Sequence, residues 1–170
     1  MTLLDPETII RKVISIYEDD YATELAAVQA NWASTEDITL DDFRERQIVA
    51  SPEILPRAWE PPLLQATTGV VQATDAVGQV QQFRDWYAID IQLFYYFKHP
   101  DNRTLSLIVM RHQEATFNLL KKHPTLDYSH RASVLPNSLS MSPSSTATSR
   151  NVLVKGLMVR FGFRFLQSGS

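Results

Sequence analysis

The chain has 170 residues, of which 44% are hydrophobic and 21% charged, proportions that are typical of a globular protein. A chain of this length buries roughly two thirds of its unfolded surface, so we expect a single domain over residues 1–170 with one core. Cysteine is absent, which excludes disulfides, thiolate nucleophiles, Cys-ligated zinc and iron–sulfur clusters. No apolar stretch approaches the ~18 residues of a membrane span and no export signal is recognised, so we expect a soluble protein.

The charges are distributed unevenly along the chain. Residues 1–60 carry thirteen acidic and five basic side chains, whereas residues 61–170 carry six acidic and eleven basic ones, giving net charges of −8 and +5. Two differently charged faces of a monomer explain this split, and so does self-association in which the acidic half of one copy meets the basic half of the next. Nucleic acid is a weaker candidate partner, because no basic run is longer than Lys121-Lys122.

Two amphipathic helices are predicted. Asp5 is a good N-cap and is followed by Pro6, and apolar residues then recur at three- and four-residue spacing, so the first helix spans roughly 6–32. The second helix spans roughly 103–123 and follows the turn-forming sequence at 99–102.

Alternating hydrophobicity predicts two long strands. Between 83 and 98 the odd positions from Tyr87 onward are apolar, and between 152 and 167 an apolar face alternates with a basic one. Shorter strands are expected at 63–71 and 128–134, the first of them followed by a turn at 75–78. The expected fold class is therefore α+β, a two-layer domain with a mainly antiparallel sheet and two helices packed on one face.

Two segments are predicted to lack long regular elements. Residues 33–62 contain four prolines, so we expect a flexible, extended connection along the surface, with a short helical turn near Leu40 as an option. Residues 136–151 contain six Ser, two Thr and two Pro and no acidic residue, which is typical of an unstructured polar loop. We expect that loop to become ordered against a neighbouring subunit or another component of an assembly.

The motifs of common enzymes are missing from the sequence. There is no Gly-x-Ser-x-Gly elbow and no Gly-rich phosphate loop, so we expect no catalytic residues and no cofactor. The chain has four histidines, at positions 99, 112, 123 and 130. They lie too far apart along the chain to form a local metal-binding pair, so no metal site is expected at His99, His112, His123 or His130. His112, on the apolar stripe of the second helix, is expected to be a buried, hydrogen-bonded imidazole.

Candidate interface residues come from three places. On the first helix, Asp20 and Glu24 share a face that is expected to point away from the apolar stripe, and Glu18 is a further acidic candidate. The second side of the sheet combines apolar centres with polar margins, as subunit interfaces do. Its candidates are Phe94, Tyr96, Arg160 and Arg164. In the polar loop, the apolar anchors and the single charge are Leu139, Met141 and Arg150.

The order of the elements resembles that of the tail terminator and tail-completion (neck) proteins of long-tailed bacteriophages. The order comprises a long first helix, a Pro-rich stretch, an extended apolar segment, an aromatic strand, a second helix, the step Thr125-Leu126, a polar loop and a long last strand. The resemblance covers the chain from about Asp5 to Gln167 and is one of order and pattern, without an invariant motif.

The resemblance implies a structural virion protein that is not an enzyme. It implies a homo-oligomeric ring, most simply a hexamer, which terminates the tail tube, joins it to the head connector and lets DNA pass without specific binding. Such a protein assembles in the host cytoplasm and resides in the neck or tail of the virion, with no membrane partner. The alternatives are a monomeric adaptor and a small hydrolase or nuclease that uses Asp90, His112 or Glu114.

Overall fold

The computed structural model describes residues 5–43, 48–50, 61–73, 85–128 and 132–167. The helices and strands, in chain order, are α1 (Pro6–Trp32), β1 (Ile48–Ala50), β2 (Leu63–Ala73), β3 (Asp85–His99), α2 (Asn102–Lys122), β4 (Ala132–Pro143), β5 (Ala147–Ser149) and β6 (Val152–Gln167). The strand order is β1-β2-β3-β6-β4, and β5 also pairs with β6. The pair β1–β2 is parallel and the others are antiparallel. The turn expected at 75–78 lies outside the described residues.

Both helices pack on one face of the sheet, so the predicted α+β two-layer fold is confirmed. The odd residues of β3 from Ile89 to Phe97 are buried and join one cluster with the apolar stripes of α1 and α2. On β6 the same face carries Leu157, Val159 and the aromatic residues that follow, all buried. Among the helices that the structure describes, none combines the length and the apolar character needed to cross a membrane.

The two helices begin at the caps that the sequence indicates. The carboxylate of Asp5 accepts a hydrogen bond from the backbone N–H of Thr8 (2.8 Å), and that of Asp101 accepts one from Thr104 (2.7 Å). These bonds lower the pKa of both carboxyl groups, because they favour the charged form. The observed ends of both helices lie within one residue of the predicted ones.

The expectation of a surface connection over 33–62 is wrong in its described part. Ile38, Leu40 and Phe43 are buried in the core cluster, and no helical turn forms over residues 39–43. The ring of Phe43 packs between α1 and β3, with its centroid 5.5 Å from that of Tyr21 and 5.7 Å from that of Tyr95. The prolines exclude a long helix, but they do not prevent single apolar residues between them from entering the core.

The expectation of an unstructured loop over 136–151 is also wrong. Strand β4 pairs with β6 at both of its ends and has an irregularity between Leu135 and Ser140. Within the irregularity the hydroxyl of Ser138 accepts a hydrogen bond from the N–H of Gly162 and donates one to the carbonyl of Leu135, both 2.6 Å long. The side chain of Ser138 thus replaces the backbone pairing between β4 and β6 that is missing at the irregularity. For this reason β4 continues as a strand even though its residues do not alternate between apolar and polar. The strand begins at Ala132 rather than near Tyr128.

A second serine and a tight hairpin order the rest of this segment. The hydroxyl of Ser144 accepts a hydrogen bond from the N–H of Gly156 (2.8 Å), and the Ser144 N–H donates to the Gly156 carbonyl (2.9 Å). Ser149 then pairs with Val152 across Arg150 and Asn151, which have φ angles of 48° and 63°. Positive φ at both central residues is the mark of a two-residue type I′ hairpin.

The role of Ser138 leads to a stability prediction. Ser138→Ala leaves the Gly162 N–H without its acceptor, and an unsatisfied buried donor costs about 1–3 kcal/mol. We expect the free energy of unfolding, measured by urea denaturation, to fall by about 1–2 kcal/mol. The matched control is Ser140→Ala, an exposed serine of the same strand, which should change it by less than about 0.5 kcal/mol. Equal effects of the two substitutions would contradict the assigned role.

Candidate interaction surface

The sheet has a second face, which we call the outer sheet face and which consists of the strand residues that point away from the helices. Pairing of β3 with β6 sets Phe94 beside Met158, Gln92 beside Arg160, and Tyr96 beside Gly156. Phe94 and Tyr96 are half-buried, whereas Met158 is 38% exposed. The expected apolar centre of this face is therefore present and is most accessible at Met158.

The margin of the outer sheet face is polar but largely paired. Arg160 forms an ion pair with Asp90, a neighbour on the same face. Arg164 is half-buried and lies across from Ala88. At the β2 end Leu63 is only 1% exposed, so the accessible part of this face lies toward β6 and β4.

The acidic candidates on α1 separate into exposed and paired residues. Glu18 is exposed, as expected. Asp20 is partly exposed and lies 3.0 Å from Nε2 of His123. Glu24 is only 5% exposed and pairs with Lys122 of α2, so the prediction that it points away from the packed side is wrong. The physical reason is that α2 lies beside α1 and brings a lysine to this carboxylate.

The candidates of the expected polar loop lie on folded strands. Leu139 and Met141 are half-buried and pack against the core cluster, and Met141 lies opposite the buried Val159. The prediction that Leu139 and Met141 are free to contact a neighbouring subunit is therefore wrong. Arg150 is exposed at the tip of the β5–β6 hairpin.

Buried polar side chains join the two helices to the sheet and to each other, on the side of the sheet opposite the outer sheet face. The hydroxyl of Tyr95 on β3 hydrogen-bonds to that of Tyr17 on α1 and to Thr116 on α2. A second link of 2.7 Å joins the hydroxyl of Tyr21 to Nδ1 of His112. His112 is fully buried and hydrogen-bonded, as the sequence predicts, and burial lowers its pKa to about 3. The imidazole is therefore neutral at physiological pH.

A small cavity lies next to His112. Its volume is about 90 Å³, and it is lined by Thr39, Asp41, Pro61, Pro62, Phe97, Lys98, Ile108 and His112. Ligand sites for small molecules usually enclose roughly 300–1,000 Å³, so this cavity has room for a few water molecules rather than for a substrate. Nε2 of His112 has no hydrogen-bond partner among the described residues.

The residues of the enzymatic alternative do not meet. Asp90 lies on the outer sheet face with Arg160, whereas His112 is buried on the helix-facing side of the sheet. Glu114 accepts a hydrogen bond from the indole of Trp32 at the helix surface. The described residues contain no group of three or more acidic or histidine side chains that would hold a metal ion; His130 lies outside them.

One exposed apolar surface was not predicted from the sequence, and we call it the helical patch. It consists of Trp32, Met110 and Phe117, which are 42%, 61% and 50% exposed. Met110, Glu114 and Phe117 follow the spacing i, i+4 and i+7 on one face of α2, and the bond of 2.9 Å between Trp32 and Glu114 brings α1 to that face. The signal is present in the sequence, because the apolar stripe that contains His112 fixes the inward side of α2 and leaves Met110 and Phe117 outside it.

Neither a protein-family model nor a curated protein matches this sequence. Among the described residues, two exposed surfaces are candidates for contact with a partner. These are the outer sheet face around Met158 and the helical patch, which lie on opposite layers of the fold.

The buried imidazole leads to a prediction about pH. The unfolded chain takes up a proton at a histidine near pH 6.5, whereas folded His112 takes one up only near pH 3, so acidification between these values favours unfolding. We expect the wild-type free energy of unfolding to fall more steeply over pH 6 to 4 than that of His112→Asn, by on the order of 1 kcal/mol per pH unit. The measurement is urea denaturation at several pH values.

The control for this prediction is His99→Asn, which leaves His112 in place and should retain the steep slope of the wild type. Parallel slopes for the wild type and His112→Asn would show that the core imidazole is already protonated in the folded chain, or that it is not buried.

Proposed function

We propose that this chain is a structural protein of the neck or tail of a long-tailed bacteriophage. In this proposal six copies form a ring that terminates the tail tube and joins it to the head connector, and DNA passes through the ring without specific binding. The ring assembles in the host cytoplasm and remains in the virion. The proposal requires no cofactor, metal or catalytic step.

The outer sheet face is the observation that carries this proposal. Interfaces between subunits have apolar centres, rich in Met and aromatic residues, with polar margins. Met158 and Phe94 supply such a centre, and Arg160 with Asp90 supplies such a margin. In the part of the chain that the structure describes, the helices pack on one side of the sheet, and the exposed residues around Met158 on the other side are accessible to a partner.

The charge distribution supports a contact between unlike surfaces. Glu18 and Asp19 are exposed on α1, whereas Arg160 is exposed on the outer sheet face. When two different surfaces of the same chain meet, the contact is heterologous, and heterologous contacts close into rings or grow into filaments. Ion pairs within the chain, above all that of Glu24 with Lys122, neutralise part of the charge of each half of the sequence. The difference in charge between the surfaces is therefore smaller than the count of charged residues suggests.

The proposal predicts a salt-sensitive closed oligomer. Light scattering at low salt should give about six times the chain mass of 19.4 kDa, and negative-stain images should show rings with a central opening. Raising the salt concentration should shift the mass toward the monomer, because screening shortens the range of the charge contact to ~8 Å at physiological ionic strength.

A charge variant sharpens the test. Glu18→Lys should lower the oligomer mass at low salt, whereas Thr23→Lys, which adds a lysine to an exposed position of α1 without removing an acid, should have a smaller effect. A chain that stays monomeric at every concentration and at low salt would remove the ring proposal for the isolated protein and favour the adaptor alternative.

A further inference from the structure

The helical patch is an exposed apolar surface on the layer opposite the outer sheet face. Trp is one of the residues that contribute most to binding energy at protein interfaces, and Met and Phe are more frequent in interfaces than on the rest of the surface. The helical patch contains one of each. Trp32 is held in place, since its indole N–H donates to Glu114 and its ring faces the guanidinium of the buried Arg111 at 6.0 Å. A side chain that is already ordered loses less conformational entropy on binding.

Two features point to a second copy of the chain as the partner. The large hydrophobic residues that are exposed in the described part of the chain fall into two groups on opposite layers, the helical patch and Met158. Each group also has a charged side chain at its edge, Glu114 between Met110 and Phe117, and Arg160 two residues after Met158 on the same face of β6. Arg160 pairs with Asp90, but its side chain is 51% exposed, and a guanidinium with five N–H donors can bind a second carboxylate. Two complementary surfaces on different sides of one chain are what a head-to-tail contact requires.

We propose that the helical patch of one copy packs against the outer sheet face around Met158 of the next copy. This inference rests on the self-assembly proposed above and names the surfaces that meet in it. In this contact Phe117 and Met110 pack against Met158 and Phe94, while Glu114 lies close to Arg160. Each copy uses both of its layers, one toward each neighbour.

A mixing experiment tests this arrangement. Phe117→Asp destroys the helical patch and leaves the outer sheet face intact, and Met158→Asp does the reverse. Both residues are exposed, so the variants should keep the wild-type circular dichroism and melting behaviour. Each variant alone should be monomeric, because one of its two contact surfaces is lost. An equimolar mixture should form a dimer of one copy of each and go no further, since one intact surface of each kind remains.

The milder pair Phe117→Ser and Met158→Ser replaces the aspartates if either aspartate variant fails to fold. The matched control is Thr23→Asp, an exposed position of α1 nine residues before Trp32 and therefore on the opposite side of that helix; it should assemble like the wild type. The masses are measured by light scattering after size-exclusion chromatography.

The other outcomes separate this inference from the proposed function. If the wild type forms rings and both variants assemble equally well, the surfaces named here are wrong while the ring proposal stands. If Met158→Asp alone still dimerises, the helical patch pairs with itself and the head-to-tail contact is overturned. If the wild type is monomeric under all conditions, both proposals fail, and the helical patch belongs to a different partner.

Discussion

The hydroxyl group of Tyr95 is the point on which the packing of helices against the sheet depends. It is buried on the helix-facing side of β3 and hydrogen-bonds to Tyr17 of α1 and, at 2.7 Å, to Thr116 of α2. A buried hydroxyl without a partner costs roughly 1–3 kcal/mol. Since the side chains of Tyr17 and Thr116 are also buried, both helices are held to the strand at these positions. Burial raises the pKa of Tyr17 to about 12 and holds that of Tyr95 well above its usual range, so the hydroxyls keep the protons that the network needs.

The same constraint determines what α2 presents to its surroundings. Thr116 and His112 are four residues apart and both point inward, toward Tyr95 and Tyr21. Since each residue of a helix is rotated by about 100° from the one before, Phe117 and Met110 must then point about 100–120° away from Thr116, toward solvent. The helical patch is thus a consequence of the internal hydrogen bonds. A rotation of α2 that buried Phe117 would leave the hydroxyl of Tyr95 without Thr116.

The parts of the fold that could be predicted are those in which local pattern and tertiary burial agree. In β3 and β6 a single face is buried along most of the strand, so period-two alternation identifies both. The failures have long-range causes: Glu24 is buried because Lys122, 98 positions away, reaches it, and Phe43 is buried because α1 and β3 enclose it. The strand predicted at 128–134 covers only the start of β4; its continuation to Pro143 was missed because serine hydroxyls, rather than apolar residues, complete the pairing. The apolar stripe of α2 indicates which side of that helix is buried, but it does not show that the apolar residues outside the stripe lie beside Trp32 of α1.

The outer sheet face owes its shape to two glycines of β6. A Cβ atom at Gly162 would come within 3.1 Å of Leu135 and Ser138, and one at Gly156 within 3.3 Å of the carbonyl oxygen of Tyr95. The serines that bond to these two glycines therefore lie close over the strand at both places. Between the glycines only Met158 and Arg160 point outward from β6, both exposed. The irregular pairing of β4 that the serines make possible thus leaves one apolar and one cationic side chain projecting together, the combination that a surface containing Phe117 and Glu114 would complement.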